Sequence, residues 1–571
     1  MKEKLITMFF SLLGVIPTWG LEAGEIGIVA RTGEGMPDGN GVFGQGSSAF
    51  TAPVLSEDGL VLFHVDIDDA EDSSSHALMV GVPGATELVG RHLQTPAALT
   101  GIGDEKFAAL YQGAIAEAGV VGFVVKTVGN GYSCVLMNAG SDITGYMLHA
   151  ADGQPSPDEG ALVIHSGLKY NMNAAGDIAF YAGLTQTIGG GNDDTAIFRA
   201  ESGSSVLTAI AQNGDATPSG LETYDIIGGA PGIDDAGQVF FLASVDGSSS
   251  ANAVLRGNGT ALTLMIGSGA LLPGGDVITD FGVTAEVAVN PSGQVAVPAN
   301  YTGNNSADVV LKVTESGTFT VVAREGQLIS GTAYEYSTFK NHLVLNDNGQ
   351  TVYTAGMVLQ GGGGSGYGIF RDDQLIAQNG TLIPAGDGDF HGVEYGPFAL
   401  NNAGDVVFEC NILTTTDQLD ALFFYKQGLG LVEVIREGAA LAGGILDSFE
   451  FLGTSASTGV LPSERNGLND KGQVAFKYRL ESGEEGIAIW AADAALVAGL
   501  PRPQIRRETS DSMGVTFSGI PGVPYRIETT PSLTDPDWTP VNASSFVNEH
   551  WEMAETLLPV QTSFFRMSVV R

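Results

Sequence analysis

The stretch LNDKGQVAF, Leu468 to Phe476, decides the fold, because a nine-residue pattern of this form returns eight times along the 571-residue chain. The earlier copies begin with LSEDGLVLF (Leu55 to Phe63), IAEAGVVGF (Ile115 to Phe123), MNAAGDIAF (Met172 to Phe180) and IDDAGQVFF (Ile233 to Phe241). They continue with VNPSGQVAV (Val289 to Val297), LNDNGQTVY (Leu345 to Tyr353) and LNNAGDVVF (Leu400 to Phe408). The glycines Gly59, Gly119, Gly176, Gly237, Gly293, Gly349, Gly404 and Gly472 are separated by 60, 57, 61, 56, 56, 55 and 68 residues. Asn, Asp or Ser at the second position can hydrogen-bond the backbone two residues on, and Gly at the fifth suits a left-handed conformation. Together they predict a type I turn closing with a G1 bulge, a tight hairpin. After the glycine, residues such as Val474, Phe476 and Tyr478 alternate with Ala475, Lys477 and Arg479. That is strand periodicity with one packed face.

Each repeat continues with a polar, often Gly-rich loop and a short apolar strand, such as HALMVG, TAIFRA, DVVLKV or GIAIWA. A further strand then ends in a second Gly-containing turn, as in IAQNGDATPSG (Ile210 to Gly220) and VIREGAALAGG (Val434 to Gly444). Four antiparallel strands in about 58 residues is the composition of a propeller blade. The eighth repeat stops before the strand that bears the second turn. That piece stands instead near the start of the chain, as IGIVARTGEGMPDG (Ile26 to Gly39). The expectation is an all-β, eight-bladed β-propeller closed by its N-terminal strand, with no sheet edge left open.

Composition agrees. Gly supplies 80 residues and charged residues only 16%, which excludes a charged helical bundle. The 65 acidic and 25 basic residues give a net charge of −40, a field that repels phosphate backbones and anionic lipid. Nucleic-acid binding is therefore not expected, and a monomer is.

Lys2 and Lys4 precede the apolar run Leu5 to Ile16, and Pro17, Thr18 and Gly20 fit a cleavage site. Residues 1–20 thus read as a signal peptide, with Ala23 a second cleavage point, and no later transmembrane segment follows. The expected location is outside the cytoplasm: extracellular, cell-surface or periplasmic. Cys134 and Cys410 fall in different, non-neighbouring repeats and read as buried small hydrophobes.

From Gly24 to Ala491 the repeats resemble the tandem-repeat family of exported bacterial proteins named for an NxxGxxAF motif. That family carries interchangeable C-terminal anchoring modules. The resemblance implies export and a surface role, and it brings no catalytic residues. Ser56, Ala116 and Asp234 depart from the Asn position, and Val297 and Tyr353 from the Phe position. At this stage the departures bear only on turn and packing quality. The propeller is assigned to residues 24–492, a Pro-containing linker to 493–503, and a small β-sandwich to 504–571. Pro521, Gly522, Tyr525, Leu533, Trp538, Phe565 and Arg566 resemble the small β-sandwich that ends many large secreted bacterial proteins. That likeness implies attachment or sorting, and a passive cap is equally consistent with the residues.

Chemistry is sparse. Gly39, Gly41 and Gly44, and again Gly361, Gly363 and Gly366, match the dinucleotide fingerprint but open no helix after a strand. His64, His76, His92, His149, His165, His342, His391 and His550 show no metal-ligand spacing. In HVDIDDAEDSSS (His64 to Ser75), Asp68, Asp69 and Asp72 are calcium candidates, although no EF-hand loop is present. No other cofactor is indicated and no catalytic residue is assigned.

The loops after each Asn-Gly hairpin strand must emerge on one face, where a partner would bind. The leading expectation is a non-enzymatic scaffold for a polysaccharide, protein or envelope partner. Its rival is a carbohydrate-active enzyme, lyase or glycosidase, working in the central channel. Such an enzyme needs paired carboxylates, or a His near a basic group, at one mouth.

Overall fold

The computed structural model describes residues 25–491 and the backbone of strands between 504 and 569. Within the first range it omits 47, 73, 95–105, 112, 117–118, 129–134, 140–145, 165–167, 186–193, 218–221, 227–228, 246–251, 283–285, 303–306, 363, 428–429 and 463–464. Two compact units result, one of them Gly27–Ile489 and the other containing Trp490–Arg571. Cys134 and His165 lie outside the described residues, as do the signal segment 1–20 and the linker.

All eight repeat glycines have φ between +72° and +89°, as the hairpin reading requires. In the last copy Gly472 N–H donates to Asn469 O (3.0 Å) and Asn469 N–H to Gln473 O (3.2 Å), the two bonds of a type I turn with a G1 bulge. The asparagine differs from expectation in its reach. Its Oδ1 accepts from the amide four residues on: Gln473 for Asn469, Gln350 for Asn346 and Asp405 for Asn401. The carbonyl side of the side chain thus closes the bulge rather than the turn itself.

Every hairpin leads into a strand that forms the second line of an antiparallel sheet, and there are eight such sheets. Blade 1 is Val42–Phe43 with Val54–Leu55, then Val61–Asp68, His76–Val82 and Ala85–Arg91. Blade 7 is Gly388–His391 with Phe398–Leu400, then Val406–Thr414, Gln418–Lys426 and Gly430–Arg436. In both, the first strand is broken in two, and both halves pair with the second strand. These split strands touch their equivalents in neighbouring blades and form the inner ring. Between third and fourth strands the register shifts at the same place in seven blades, for example between Ile197 and Phe198 and between Leu422 and Phe423. Such bulges increase the twist of the outer strand.

Closure is as expected. Blade 8 orders Gly444–Phe451, Gln473–Leu480, Glu485–Ala491 and then Ile26–Arg31, so the N-terminal strand is its outermost.

The core lies between blades. Motif aromatics pack with the preceding blade: Phe123 with Leu62 and Leu78 of blade 1, Phe180 with Val124 of blade 2, Phe241 with Ile197 of blade 3, Tyr353 with Val310 of blade 5 and Phe408 with Val352 and Ile369 of blade 6. Phe63, Phe123, Phe180, Phe241, Phe408 and Phe476 are all at most 2% exposed, as are the departures Val297 and Tyr353. Each such ring stabilises the ring of blades by about 1.5–3 kcal/mol.

The second unit contains a three-stranded sheet, Gln504–Arg507, Ser512–Phe517 and Ala554–Pro559. It also contains a four-stranded one built on Pro524–Thr530. All their pairings are antiparallel. Among the described residues, no helix is long and apolar enough to cross a membrane.

Candidate functional site: the plugged channel and its rim

In blade 8 the break in the inner strand is long. The chain leaves Phe451, and the inner strand resumes only at Leu468, which bridges Val474. The described residues between them reach across to blades 7, 5, 3 and 1. Thr454 exchanges both backbone hydrogen bonds with Phe398 of blade 7 (2.8 and 3.0 Å). Val460 N–H donates to Glu286 Oε2 of blade 5 at 2.7 Å, and Lys169 Nζ of blade 3 lies 3.4 Å from Glu286 Oε1. The Arg465 guanidinium sits 4.4 Å from the centre of the Tyr170 ring of blade 3 and donates to Tyr170 O. Leu452 and Leu461 join the core between blades 1 and 2, and Val460 joins that between blades 5 and 6. Against the plug, Met172, Ile233, Val289, Leu345, Val460 and Leu461 line a cavity of about 20 Å³. That is room for roughly one water molecule. The channel is plugged.

The plug forms a polar floor. Thr454 and Ser455 are buried, whereas Ala456, Ser457 and Thr458 are exposed. Ser455 Oγ lies 2.9 Å from Ser457 Oγ and 3.0 Å from Thr458 Oγ1, and Thr458 Oγ1 donates to Gly453 O (2.7 Å). Beside Phe398, which pairs with the plug, stands the His342 ring, 6.1 Å away centre to centre. Burial, with Lys340 close by, pushes the His342 imidazole down to about 4, so it is neutral at neutral pH. Lys340 Nζ lies 5.1 Å from the centre of the Tyr367 ring and 5.7 Å from that of Tyr395. Tyr395 is 73% exposed. It projects from the turn Gly392–Gly396, where Gly392 takes φ +69° and a Cβ on Gly396 would strike Glu409 O at 1.9 Å. Glu394 in the same turn is buried and accepts from Asn379 Nδ2 (2.9 Å).

The calcium candidates are placed differently. Asp68 Oδ2 accepts from Gln45 N–H at 2.7 Å. Asp69 takes a left-handed turn (φ +57°). Asp72 Oδ1 accepts from Ser74 N–H at 3.0 Å and lies 3.5 Å from Arg91 Nη2. Hydrogen bonding to Ser74 keeps the Asp72 carboxyl below its usual range. Asp68 and Asp72 thus have separate partners, and no group of three or more His, Cys, Asp or Glu among the described residues is arranged to hold a metal ion. The histidines of blade 1 do meet, which their spacing did not suggest. His64 and His76 are 5.3 Å apart, and His76 and His92 stack at 4.9 Å. Of the loops expected to carry binding, those of blades 2 to 5 fall in 129–134, 186–193, 246–251 and 303–306, outside the described residues.

Sequence reasoning missed the site at the rim. Tyr395 sits in the break of blade 7's inner strand, and Lys340 and His342 sit where the unbroken inner strand of blade 6, Tyr334–Leu345, bulges between Phe339 and Leu343; neither place carries a repeat signal. The one available clue was the 68-residue spacing before Gly472, where the plug is inserted.

Several solved structures are similar at low level. An acylaminoacyl peptidase of Pyrococcus horikoshii is 8% identical with a TM-score of 0.29, over 83% of this chain and 59% of that one. A polysaccharide lyase of family PL25, an ulvan lyase, is 10% identical with a TM-score of 0.29, over 82% and 96%. An ancestral GH74 enzyme is 10% identical with a TM-score of 0.27, over 76% and 64%. At these scores the likenesses carry no argument about function. No curated protein matches the chain. A family model does, over residues 15–249 and 94–498, and the chain therefore belongs to the family of unknown function DUF7453.

Proposed function

We propose that this protein is an exported or cell-surface binding scaffold. The rim of its plugged channel takes a polysaccharide, protein or envelope partner, and its C-terminal unit serves attachment or sorting. The observation that carries the reading is the plug. It fills the space in which a propeller enzyme would gather its side chains, and Glu286, the carboxylate beside it, is held by Val460 N–H and Lys169. Above the plug, the polar floor and an exposed tyrosine suit recognition of a hydroxylated surface. Glycan-array binding by the full chain, followed by assay of each bound glycan for new ends, tests this. Binding without turnover is expected. Absence of any glycan, protein or envelope partner would remove the reading.

A second reading, a carbohydrate-active enzyme, is favoured by one observation. Neutral His342 lies near Lys340 at the rim, the pairing of base and cation that acid–base chemistry on a sugar needs. Turnover abolished by His342→Gln would establish it in place of the first.

A further inference from the structure

We propose that Lys340, Tyr367 and Tyr395 form a subsite for a sugar ring that carries a carboxylate, so that the glycan recognised is a polyuronate. This rests on the glycan-binding reading above and names its ligand.

Three observations converge. First, Lys340 is a cation without a carboxylate partner among the described residues, in a chain of net charge −40. Lys169, Lys312, Lys426, Lys471 and Lys477 each have an acidic partner within 4.0 Å, whereas Lys106 and Lys126, like Lys340, have none among the described residues; those two are exposed on the surface of blade 2, and Lys340 is half-buried. With acidic residues outnumbering basic ones 65 to 25, an unpaired lysine at a channel rim is a position where pairing was readily available and is absent. Second, its ammonium is flanked by two tyrosine rings, at 5.1 and 5.7 Å. The rings hold the charge in place through their negative faces without neutralising it. Third, Tyr395 is 73% exposed, a flat apolar surface beside that charge. Sugar rings present C–H bonds on one face and hydroxyls on their edges. Tyr395 fits the face, and Lys340 fits a carboxylate on the ring. A neutral glycan would leave the ammonium unused. An acidic peptide would use it but has no need of the open tyrosine face.

The overall negative charge does not oppose this at contact. Exposed charges are screened within about 8–10 Å at physiological salt. Lys340 would act as a charge-assisted donor at hydrogen-bond distance.

The test uses the full chain and two probes, oligogalacturonate and a neutral galactan oligosaccharide of equal length, by calorimetry. The variants are Lys340→Met, Lys340→Arg and Tyr395→Ala, each checked for unchanged melting. Both side chains reach solvent, so the variants should fold. Oligogalacturonate is expected to bind, with affinity reduced about tenfold or more in Lys340→Met, reduced in Tyr395→Ala and largely kept in Lys340→Arg. Equal binding of both probes, indifferent to Lys340→Met, would overturn the polyuronate subsite and leave the scaffold reading standing. An acidic peptide displacing oligogalacturonate with higher affinity would also overturn it, in favour of a protein partner. Failure of every glycan on the array would overturn the subsite and leave the scaffold reading to a protein or envelope partner.

Discussion

The repeat asparagine does two jobs, and the second explains why it is asparagine. Its Oδ1 closes its own bulge, while its Nδ2 donates to the backbone of the next blade's motif. Asn173 reaches Asp234 O (2.9 Å), Asn290 reaches Asn346 O (3.1 Å) and Asn346 reaches Asn401 O (2.8 Å). Asn401 reaches Asn469 O (3.0 Å), and Asn469 reaches Ser56 O (3.1 Å), which carries the series from the last blade into the first. Asp and Ser can close a bulge, as Asp234 does for Gln238 N–H (2.7 Å) and Ser56 for Leu60 N–H (3.0 Å). An ionised Asp has no proton to donate, a Ser hydroxyl is too short to cross, and Ala116 has no polar group. The departures from the motif therefore remove links between blades as well as altering turns. Asn346→Asp keeps the bulge acceptor and deletes the link, leaving a buried carboxylate without its donor role. A loss of about 1–3 kcal/mol is expected in denaturant melts. Ser56→Asn should act in the opposite sense, adding a link from blade 1 towards Ala116 O and raising stability by about 0.5–1.5 kcal/mol. If Asn346→Asp melts like the parent, the links between blades carry no weight.

At the scale of elements, much of the architecture was legible. The period gave the number of blades, and alternation after the glycine gave Gln473–Leu480 and its equivalents. The missing last strand gave the closure by Ile26–Arg31. Those features are local, and hairpin chemistry writes them into adjacent residues. The broken inner strands and the plug were not legible, because their paths are set by partners far along the chain. Val460 is fixed by Glu286, Arg465 by Tyr170 and Thr454 by Phe398. The sequence from Gly453 to Gly467 is small and polar and has no period; its length alone stood out. Closure can be tested directly. Glu485–Ala491 is buried along its whole length, so removing Ile26–Arg31 would turn its far side into an open edge and uncover Ile487, Ile489 and Trp490. Exposed, hydrophobic edge strands recruit other chains. Deletion of residues 26–31 is expected to give oligomers or aggregates on size-exclusion chromatography and a lower melting temperature. A monodisperse truncated protein with unchanged melting would show that blade 8 stands on three strands.

Across the whole molecule, burial of ionisable groups between the blades sets two opposing limbs of stability against pH. His64, His76, His149 and His342 are each pushed down to about 4, chiefly by burial. An unfolded histidine titrates near 6.5. The unfolded chain therefore binds more protons between about 6.5 and 4, and stability falls as the pH drops through that window. Glu409 of blade 7 behaves oppositely. Burial first, and then the neighbouring Asp420, push its carboxyl up to about 8. Its protonated form is favoured in the folded state, so its contribution is whole below about 4.5 and is lost as the pH rises through 8. The acid limb thus belongs to several histidines, and on the opposing limb Glu409 is the carboxyl pushed up furthest, beside smaller upward shifts from burial at Asp234, Asp405, Glu433 and Glu437. Glu409→Gln separates them. The amide keeps the size of the side chain and can still accept from the Phe451 backbone, but it never ionises. The variant is expected to match the parent near pH 4.5 and to melt higher at pH 9, by about 2–4 °C after allowance for solvent near the half-buried group. Its acid limb should be unchanged, because the four histidines are untouched. A difference from the parent that is the same at pH 4.5 and pH 9 would mean that Glu409 is not the group whose ionisation opens the alkaline limb.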